Sequence, residues 1–555
     1  MTLSKSCVQL RDVFPGVFFS GLANFLSEIF KITPESLPSD KTPPRASFAS
    51  TMARNIGAGL ARVFAVSLVA LVLPAYLTHH LPVTIYAAWV LILQLGAYVS
   101  YLDLGIQTGI AKFVAEYDAR DDYAGASRHA SAGLALMLLA GLLGVALTLA
   151  LAWQVPRLFS AMPPNLYGDV RVSVILVGSS LSFGLVCSVY SAVFMGLQRY
   201  PIPMTIAILN RAAFAAIVVA VVALRGSLTA MGIAVASVNV ATGLLQVVAW
   251  RNQASHICVS PRLVNRGILT IVARYCSLQS IGVVAMLCIT GLDVTIVGHF
   301  DYVQTAYYSI ATLPTTFALA IIGTMMGPLL PASSGMSMQR SASEMGDFLV
   351  RVTRYTTVLL LLTGLPLIVC GYPLLRLWVG PAYALHTLKY LRILVFANVV
   401  RNLCLPYATM ITATGRQGAA TAAAVSEGVV NLGSSIYMAS RFGAIGVALG
   451  TVIGAFVSVS LHFSMSMRYT QTTLEISRSR LFVKGLLQPA IIVLPSLIFF
   501  PFWCARGHLS LSPGLTVVWS LSTLLCAWYG GLKTNERNDL NRFFRRRMML
   551  WSNPT

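Results

Sequence analysis

The feature that most limits the fold of this chain is a series of apolar stretches that begins at residue 55 and continues almost to the C-terminus. A helix needs about 20 apolar residues to cross a bilayer, and only helices or closed barrels satisfy their backbone hydrogen bonds in lipid. We therefore predict an all-α polytopic membrane protein. It has about 14 transmembrane helices, at residues 55–77, 84–102, 130–152, 171–196, 204–224, 229–250, 276–299, 304–330, 355–376, 388–413, 419–440, 443–467, 484–505 and 512–530.

Composition and charge agree with this class. Charged residues make up 10% of the chain, against roughly 25% in a soluble protein. The formal net charge of +21 does not indicate a nucleic-acid partner, because Lys and Arg collect in segments on one side of the predicted spans. The richest of these segments are residues 251–274, 468–484 and 542–547. The positive-inside rule then places both termini in the cytoplasm.

A repeated sequence indicates an internal duplication. Residues 230–238 read AMGIAVASV and residues 444–452 read AIGVALGTV. These stretches fall on the sixth and twelfth spans, which enter the membrane in the same direction. We predict two pseudo-symmetric six-helix bundles, 55–250 and 276–467, that face each other across a central cavity and are joined by a cytoplasmic linker, 251–275. Outside them lie a poorly ordered cytoplasmic N-terminal extension, 1–54, two additional transmembrane helices, 484–530, and a basic cytoplasmic tail, 531–555.

Two segments carry a family resemblance. Tyr86 and Trp89 precede the segment LDLGIQTGIAKFVAEYDARDD at 102–122, which contains Asp103, Gly105 and Lys112. Together with GLDVTIVGHFDYVQTAYYSIA at 291–311, this pattern resembles the lipid-linked oligosaccharide flippases (Wzx-type) of the multidrug/oligosaccharidyl-lipid/polysaccharide exporter superfamily. Ala87 departs from the glycine usual there. The resemblance covers about residues 55–467. It implies alternating access in a bacterial inner membrane and export of a polyprenyl-pyrophosphate-linked glycan.

Charged residues within the spans are the main candidates for function, because each costs at least ~2.5 kcal/mol at the centre of a membrane helix. Arg62, Arg211 and Arg401 are predicted to line the cavity with positive charge, since a guanidinium binds phosphate through two hydrogen bonds and keeps its charge at any working pH. Polar side chains could bind sugar hydroxyls beside them: Asn55, Asn210, Asn239, Gln279 and Asn402.

The carboxylates within spans have a different predicted role. Asp293 and Glu427 are candidates for binding a coupling cation or proton. The alternative is structural, with Glu427 forming a buried ion pair with Arg211 or Arg62 to hold the bundles together.

Three other function classes are alternatives to the export of a lipid-linked oligosaccharide. A cation-coupled multidrug/toxin antiporter would favour an acidic cavity, a lipid II flippase would share the substrate chemistry, and a polysaccharide polymerase or ligase would need a large catalytic outer loop. The sequence has no HExxH, Walker A or GxSxG motif and no paired Cys/His set, so we predict no enzyme, no cofactor and no metal. The expected partners are the lipid-linked oligosaccharide, membrane lipids and a polysaccharide polymerase or chain-length protein, but no nucleic acid.

Overall fold

The structure is a computed structural model that describes residues 48–327, 329–493 and 522. Its described residues form helices and contain no strand. Ten helical segments are long and apolar enough to cross a membrane. The all-helical polytopic fold is thereby confirmed. The N-terminal extension up to residue 47, most of the two additional C-terminal spans and the basic tail lie outside the described residues.

The first half of the molecule, residues 48–253, contains seven helices. They are α1 (Phe48–His80), α2 (Val83–Ala97), α3 (Ile106–Asp118), α4 (Tyr123–Leu158), α5 (Tyr167–Gly196), α6 (Pro201–Ala223) and α7 (Leu228–Gln253). A 3-10 turn, Tyr98–Asp103, connects α2 to α3.

The second half, residues 266–469, begins with α8 (Arg266–Met286), a π-helical turn (Leu287–Gly291) and α9 (Asp293–Phe300). The helices that follow are α10 (Gln304–Met326), α11 (Leu329–Gln339), α12 (Ala342–Val369), α13 (Gly371–Val379), α14 (Pro381–Asn402), α15 (Leu405–Ala413), α16 (Gln417–Phe442) and α17 (Ala444–Leu461). Between the halves, α7 ends at Gln253 and α8 begins at Arg266, where Asn265 caps α8 by accepting a hydrogen bond from the Gly267 amide.

The two halves pack their helices in matching pairs. In the first half α1 packs on α6, α2 and α4 on α5, α5 on α7, and α6 on α7. The corresponding pairs of the second half are α8 on α16, α10 and α12 on α14, α14 on α17, and α16 on α17. This is the pattern that an internal duplication predicts.

Two predicted spans within the described residues are not among the ten: the first, where only the shorter apolar segment Val66–His80 is found, and the eleventh. Helix α16 coincides with the predicted span 419–440, yet it is not among the ten helices apolar enough to cross a membrane. Its buried residues include Glu427, Asn431 and Ser435, which face neighbouring helices. The low hydropathy of α16 therefore reflects polar side chains turned into the protein.

The LDLG motif forms the sharp turn between α2 and α3. Leu104 and Gly105 both adopt left-handed backbone angles, with φ of 47° and 81°. The Asp103 carboxylate accepts a hydrogen bond from the backbone N–H of Gln107 at 3.1 Å. An added Cβ at Gly105 would come within 2.6 Å of Gln279, on α8 of the second half. Glycine is therefore needed here for its backbone angle and for the close approach of the halves.

The hydrophobic cores show how the halves meet. We call the side of the membrane that holds the linker and residues 470–480 the basic side. On the opposite side, residues of both halves share one core, which includes Leu77, Tyr86, Tyr302 and Tyr383. Toward the basic side, the core of the first half includes residues from the start of α8, and the second half has a separate core. The halves thus share a core at the opposite side, whereas toward the basic side the described contact between them is made by α8 against α3 and α4.

Candidate functional site

Two arginines of the first half lie near each other, each close to the middle of its own helix. Arg62 is on α1 and Arg211 is on α6, and these helices pack against each other. The charge of Arg62 acts on the Arg211 guanidinium, so the two like charges repel. Both residues are exposed in the structure.

Neither arginine has a counter-ion among the described residues. Within the described part of the chain, no carboxylate lies at ion-pair distance from Arg62 or Arg211. Two positive charges without a counter-ion are costly within membrane spans, and such residues usually face a water-filled cavity or a substrate path. The pair can attract an anion and bind it through several N–H donors.

The polar candidates of the first half join helices to each other. The Asn210 amide donates to Thr242 Oγ1 at 2.8 Å, which links α6 to α7. The Asn239 amide donates to Ser180 Oγ at 3.1 Å, which links α7 to α5. Asn55 lies on α1, seven residues before Arg62. Its side chain is outside the part of the chain that the structure describes.

The remaining polar candidates lie in the second half. Gln279 is an exposed residue of α8 that packs against Gly105 of the LDLG turn. Asn402 donates to the Asn398 carbonyl oxygen of its own helix at 2.8 Å. The structure therefore does not bring Gln279 and Asn402 into the group formed by Arg62 and Arg211.

A buried ionic cluster occupies the second half. Arg401 of α14 donates through Nε to the Glu427 carboxylate of α16 in an ion pair, with 14% and 5% of the two side chains exposed. The buried Asp293 of α9 lies close enough for the charge of Arg401 to act on it. The cluster thus holds two carboxylates and one guanidinium, a formal net charge of minus one if both carboxylates are ionised, and the ion pair of Arg401 is with Glu427.

This pairing corrects one alternative from the sequence. Glu427 was expected to pair with Arg211 or Arg62 if its role was structural, but its partner is Arg401. The physical reason is that α6 and α16 are corresponding helices of the two halves and belong to different bundles. Glu427 faces α14 of its own half instead.

Sequence reasoning missed the uncharged members of the cluster. The Asp293 carboxylate accepts hydrogen bonds from the Tyr308 hydroxyl at 3.3 Å and from Thr451 Oγ1 at 3.4 Å. Asn431, one helical turn after Glu427, donates to the carbonyl oxygens of Cys288 and Ile289. Thr451 lies within the repeated sequence 444–452 and Tyr308 within the segment 291–311, so both segments carried a signal for this site.

Comparisons with known proteins bear on the fold. No protein-family model matches the sequence, and no curated protein matches it. Among solved structures, a lipid II flippase MurJ in an inward closed conformation aligns with a TM-score of 0.66 at 13% identity, over 85% of this chain and 98% of its own. An inward-facing multidrug resistance MATE family transporter of the MOP superfamily aligns with a TM-score of 0.61 at 15% identity, over 73% and 94%.

The chain has the fold of these MOP superfamily transporters. A third similar structure is an outward-facing MATE family transporter, with a TM-score of 0.55 at 14% identity, over 76% of this chain and 95% of its own. At such identities the similarity establishes the fold alone.

Proposed function

We propose that this chain is a secondary transporter that flips polyprenyl-pyrophosphate-linked oligosaccharide units across a bacterial plasma membrane for surface polysaccharide biosynthesis, such as O-antigen, exopolysaccharide or capsule. The observation that carries this proposal is the couple of Arg62 and Arg211, two exposed guanidiniums within predicted spans that have no carboxylate at ion-pair distance among the described residues. A pyrophosphate headgroup is an anion with several acceptor oxygens, and two guanidiniums offer matching donors. The basic side would be the cytoplasmic side, from which the substrate enters.

The buried cluster supports a role in energy coupling. With both carboxylates ionised, Asp293, Glu427 and Arg401 leave one negative charge uncompensated in a buried site, which is unfavourable unless a cation or proton balances it. We propose that Asp293 and Glu427 bind the coupling ion, with Arg401 holding Glu427 in place. The cationic candidate Arg401 would then act on the carboxylates rather than directly on the substrate.

The substrate proposal is tested by replacing the two arginines. Arg62→Gln and Arg211→Gln remove charge at similar volume, and Arg62→Lys and Arg211→Lys keep the charge but lose the two-pronged donor geometry. We expect the Gln variants to accumulate lipid-linked precursor inside the cell and to lose surface glycan at unchanged protein level, with the Lys variants between them and wild type. Arg376→Gln, on the exposed face of α13, is the matched control.

The outcomes separate the candidate functions. Wild-type glycan export by the Gln variants, singly and together, would remove Arg62 and Arg211 as substrate ligands. Normal surface glycan combined with altered efflux of cationic dyes would favour the multidrug/toxin antiporter. Accumulation of the peptidoglycan precursor would favour a lipid II flippase, and translocated but unpolymerised glycan units would favour a polymerase or ligase.

A further inference from the structure

The first span of the second half is interrupted in its middle by the π-helical turn Leu287–Gly291. A π turn shifts the hydrogen-bond pattern of a helix, and such turns frequently lie at functional sites. Side chains from other helices bond to the carbonyl oxygens of this turn. The Gln94 amide donates to the Gly291 carbonyl oxygen at 2.6 Å, and the Asn431 amide donates to the Ile289 carbonyl oxygen.

The two donors come from different halves of the molecule. Asn431 belongs to α16, in the same half as the turn, whereas Gln94 belongs to α2 of the first half. A second bond between the halves joins Tyr98, four residues after Gln94, to Thr295, four residues after Gly291: the Tyr98 hydroxyl bonds to Thr295 Oγ1. We call the contacts Gln94–Gly291 and Tyr98–Thr295 the inter-half bonds.

The inter-half bonds lie where the shared core ends. Tyr98 is buried in the core that both halves share, whereas the next residue, Val99, is buried in the core that belongs mainly to the first half. On the shared side the contact continues, since Leu91 packs close to Gly298 and the Tyr302 hydroxyl donates to the Thr84 carbonyl oxygen at 2.7 Å. The inter-half bonds therefore lie at the inner edge of the shared core.

We propose that Gln94 and Tyr98 are positioning residues of the transport cycle, which hold the opposite side closed through the inter-half bonds. This inference rests on the alternating access of the proposed function. When the opposite side opens, α2 and α9 must separate, and the bonds must break at a depth where water does not readily replace them. Asp293 lies between Gly291 and Thr295 in sequence, so the bonds flank the start of α9, which carries the buried carboxylate of the ionic cluster.

The test measures the opening of the opposite side directly. Spin labels introduced as unnatural amino acids at Leu224 and Leu377, which are 83% and 88% exposed, report the distance between the halves there without use of the native cysteines. The full chain is reconstituted in lipid nanodiscs without substrate. We expect Gln94→Leu to raise the ratio of open to closed distances about five-fold, which corresponds to about 1 kcal/mol for one lost hydrogen bond.

Two further measurements separate a bond from a general loss of structure. Gln246→Leu makes the same chemical change on α7, away from α9, and is expected to leave the ratio unchanged. Tyr98→Phe and Thr295→Val remove one hydroxyl each, so the double variant should match either single variant if the two hydroxyls bond to each other.

The proposal is overturned if Gln94→Leu gives the distance distribution of wild type, if Gln246→Leu gives the same change as Gln94→Leu, or if the effects of Tyr98→Phe and Thr295→Val multiply. Because no substrate is present, these results do not depend on the role of Arg62 and Arg211. If Gln94→Leu changes the distances as expected while the arginine variants export glycan normally, the proposed substrate is rejected and the proposed role of the inter-half bonds is retained.

Discussion

Removal of the Arg401 side chain is the perturbation whose energetic effect follows most directly from the structure. Arg401 and Glu427 are 14% and 5% exposed, so water screens their attraction very little. In Arg401→Ala the carboxylates of Glu427 and Asp293 stay buried without a cation. Breaking a buried pair by removing one partner destabilises a protein by roughly 3–5 kcal/mol, because the remaining charge is not compensated.

A surface ion pair of the same chain provides the comparison. Arg120 and Glu116 form an ion pair with 64% and 41% of their side chains exposed. An exposed pair of this kind contributes about 0–1 kcal/mol. Arg120→Ala should therefore lower stability far less than Arg401→Ala.

The assay is thermal unfolding of the purified protein in detergent, followed by intrinsic fluorescence. We expect the order of stability to be wild type, then Arg120→Ala close to it, and then Arg401→Ala well below both. Replacing both members with apolar residues, Arg401→Met with Glu427→Leu, should recover much of the loss, because no unpaired charge from this pair remains.

Two results would refute this reasoning. An Arg401→Ala protein as stable as Arg120→Ala would mean that the buried pair carries no more energy than an exposed one. A double variant less stable than Arg401→Ala would mean that the loss came from packing rather than from the uncompensated carboxylate. The charge exchange Arg401→Glu with Glu427→Arg further separates the roles: recovered stability without recovered export would show that these side chains act in transport as well as in folding.

Two other predictions concern packing and pH. Gly446→Ala should destabilise the protein by roughly 1–3 kcal/mol, because the added Cβ would collide with the Met438 carbonyl oxygen. Gly433→Ala has no atom within 4 Å of the added Cβ and should be neutral or slightly stabilising. Equal unfolding temperatures for the two variants would contradict the close packing of α16 on α17. Burial raises the pKa of the Asp301 carboxyl, which lies between α9 and α10. A raised pKa in the folded state makes a contribution to stability that is present in acid and lost as the pH rises through that pKa. Asp301→Asn should therefore be more stable than wild type at neutral pH and as stable as wild type in acid. A difference in stability that stays constant across pH would exclude this titration.

Part of the candidate site could be read from the sequence because charge in a membrane span is rare. Arg62, Arg211, Arg401, Asp293 and Glu427 stand out in apolar spans without any knowledge of their neighbours. Their partners could not be read in the same way. Which face of a helix meets which neighbour depends on the rotation and packing of whole helices, and the sequence supports several arrangements at similar cost.

The sequence alone determined the all-helical membrane fold, because lipid leaves the backbone of an apolar stretch almost no alternative to an internally bonded helix. It also determined the duplication, which the matching helix pairs of the two halves repeat. Only the tertiary structure decided that Arg62 meets Arg211, that Glu427 meets Arg401 and that the halves are closed on one side. The physical reason is that these contacts join residues of different helices, and their geometry is fixed by packing that no local pattern encodes.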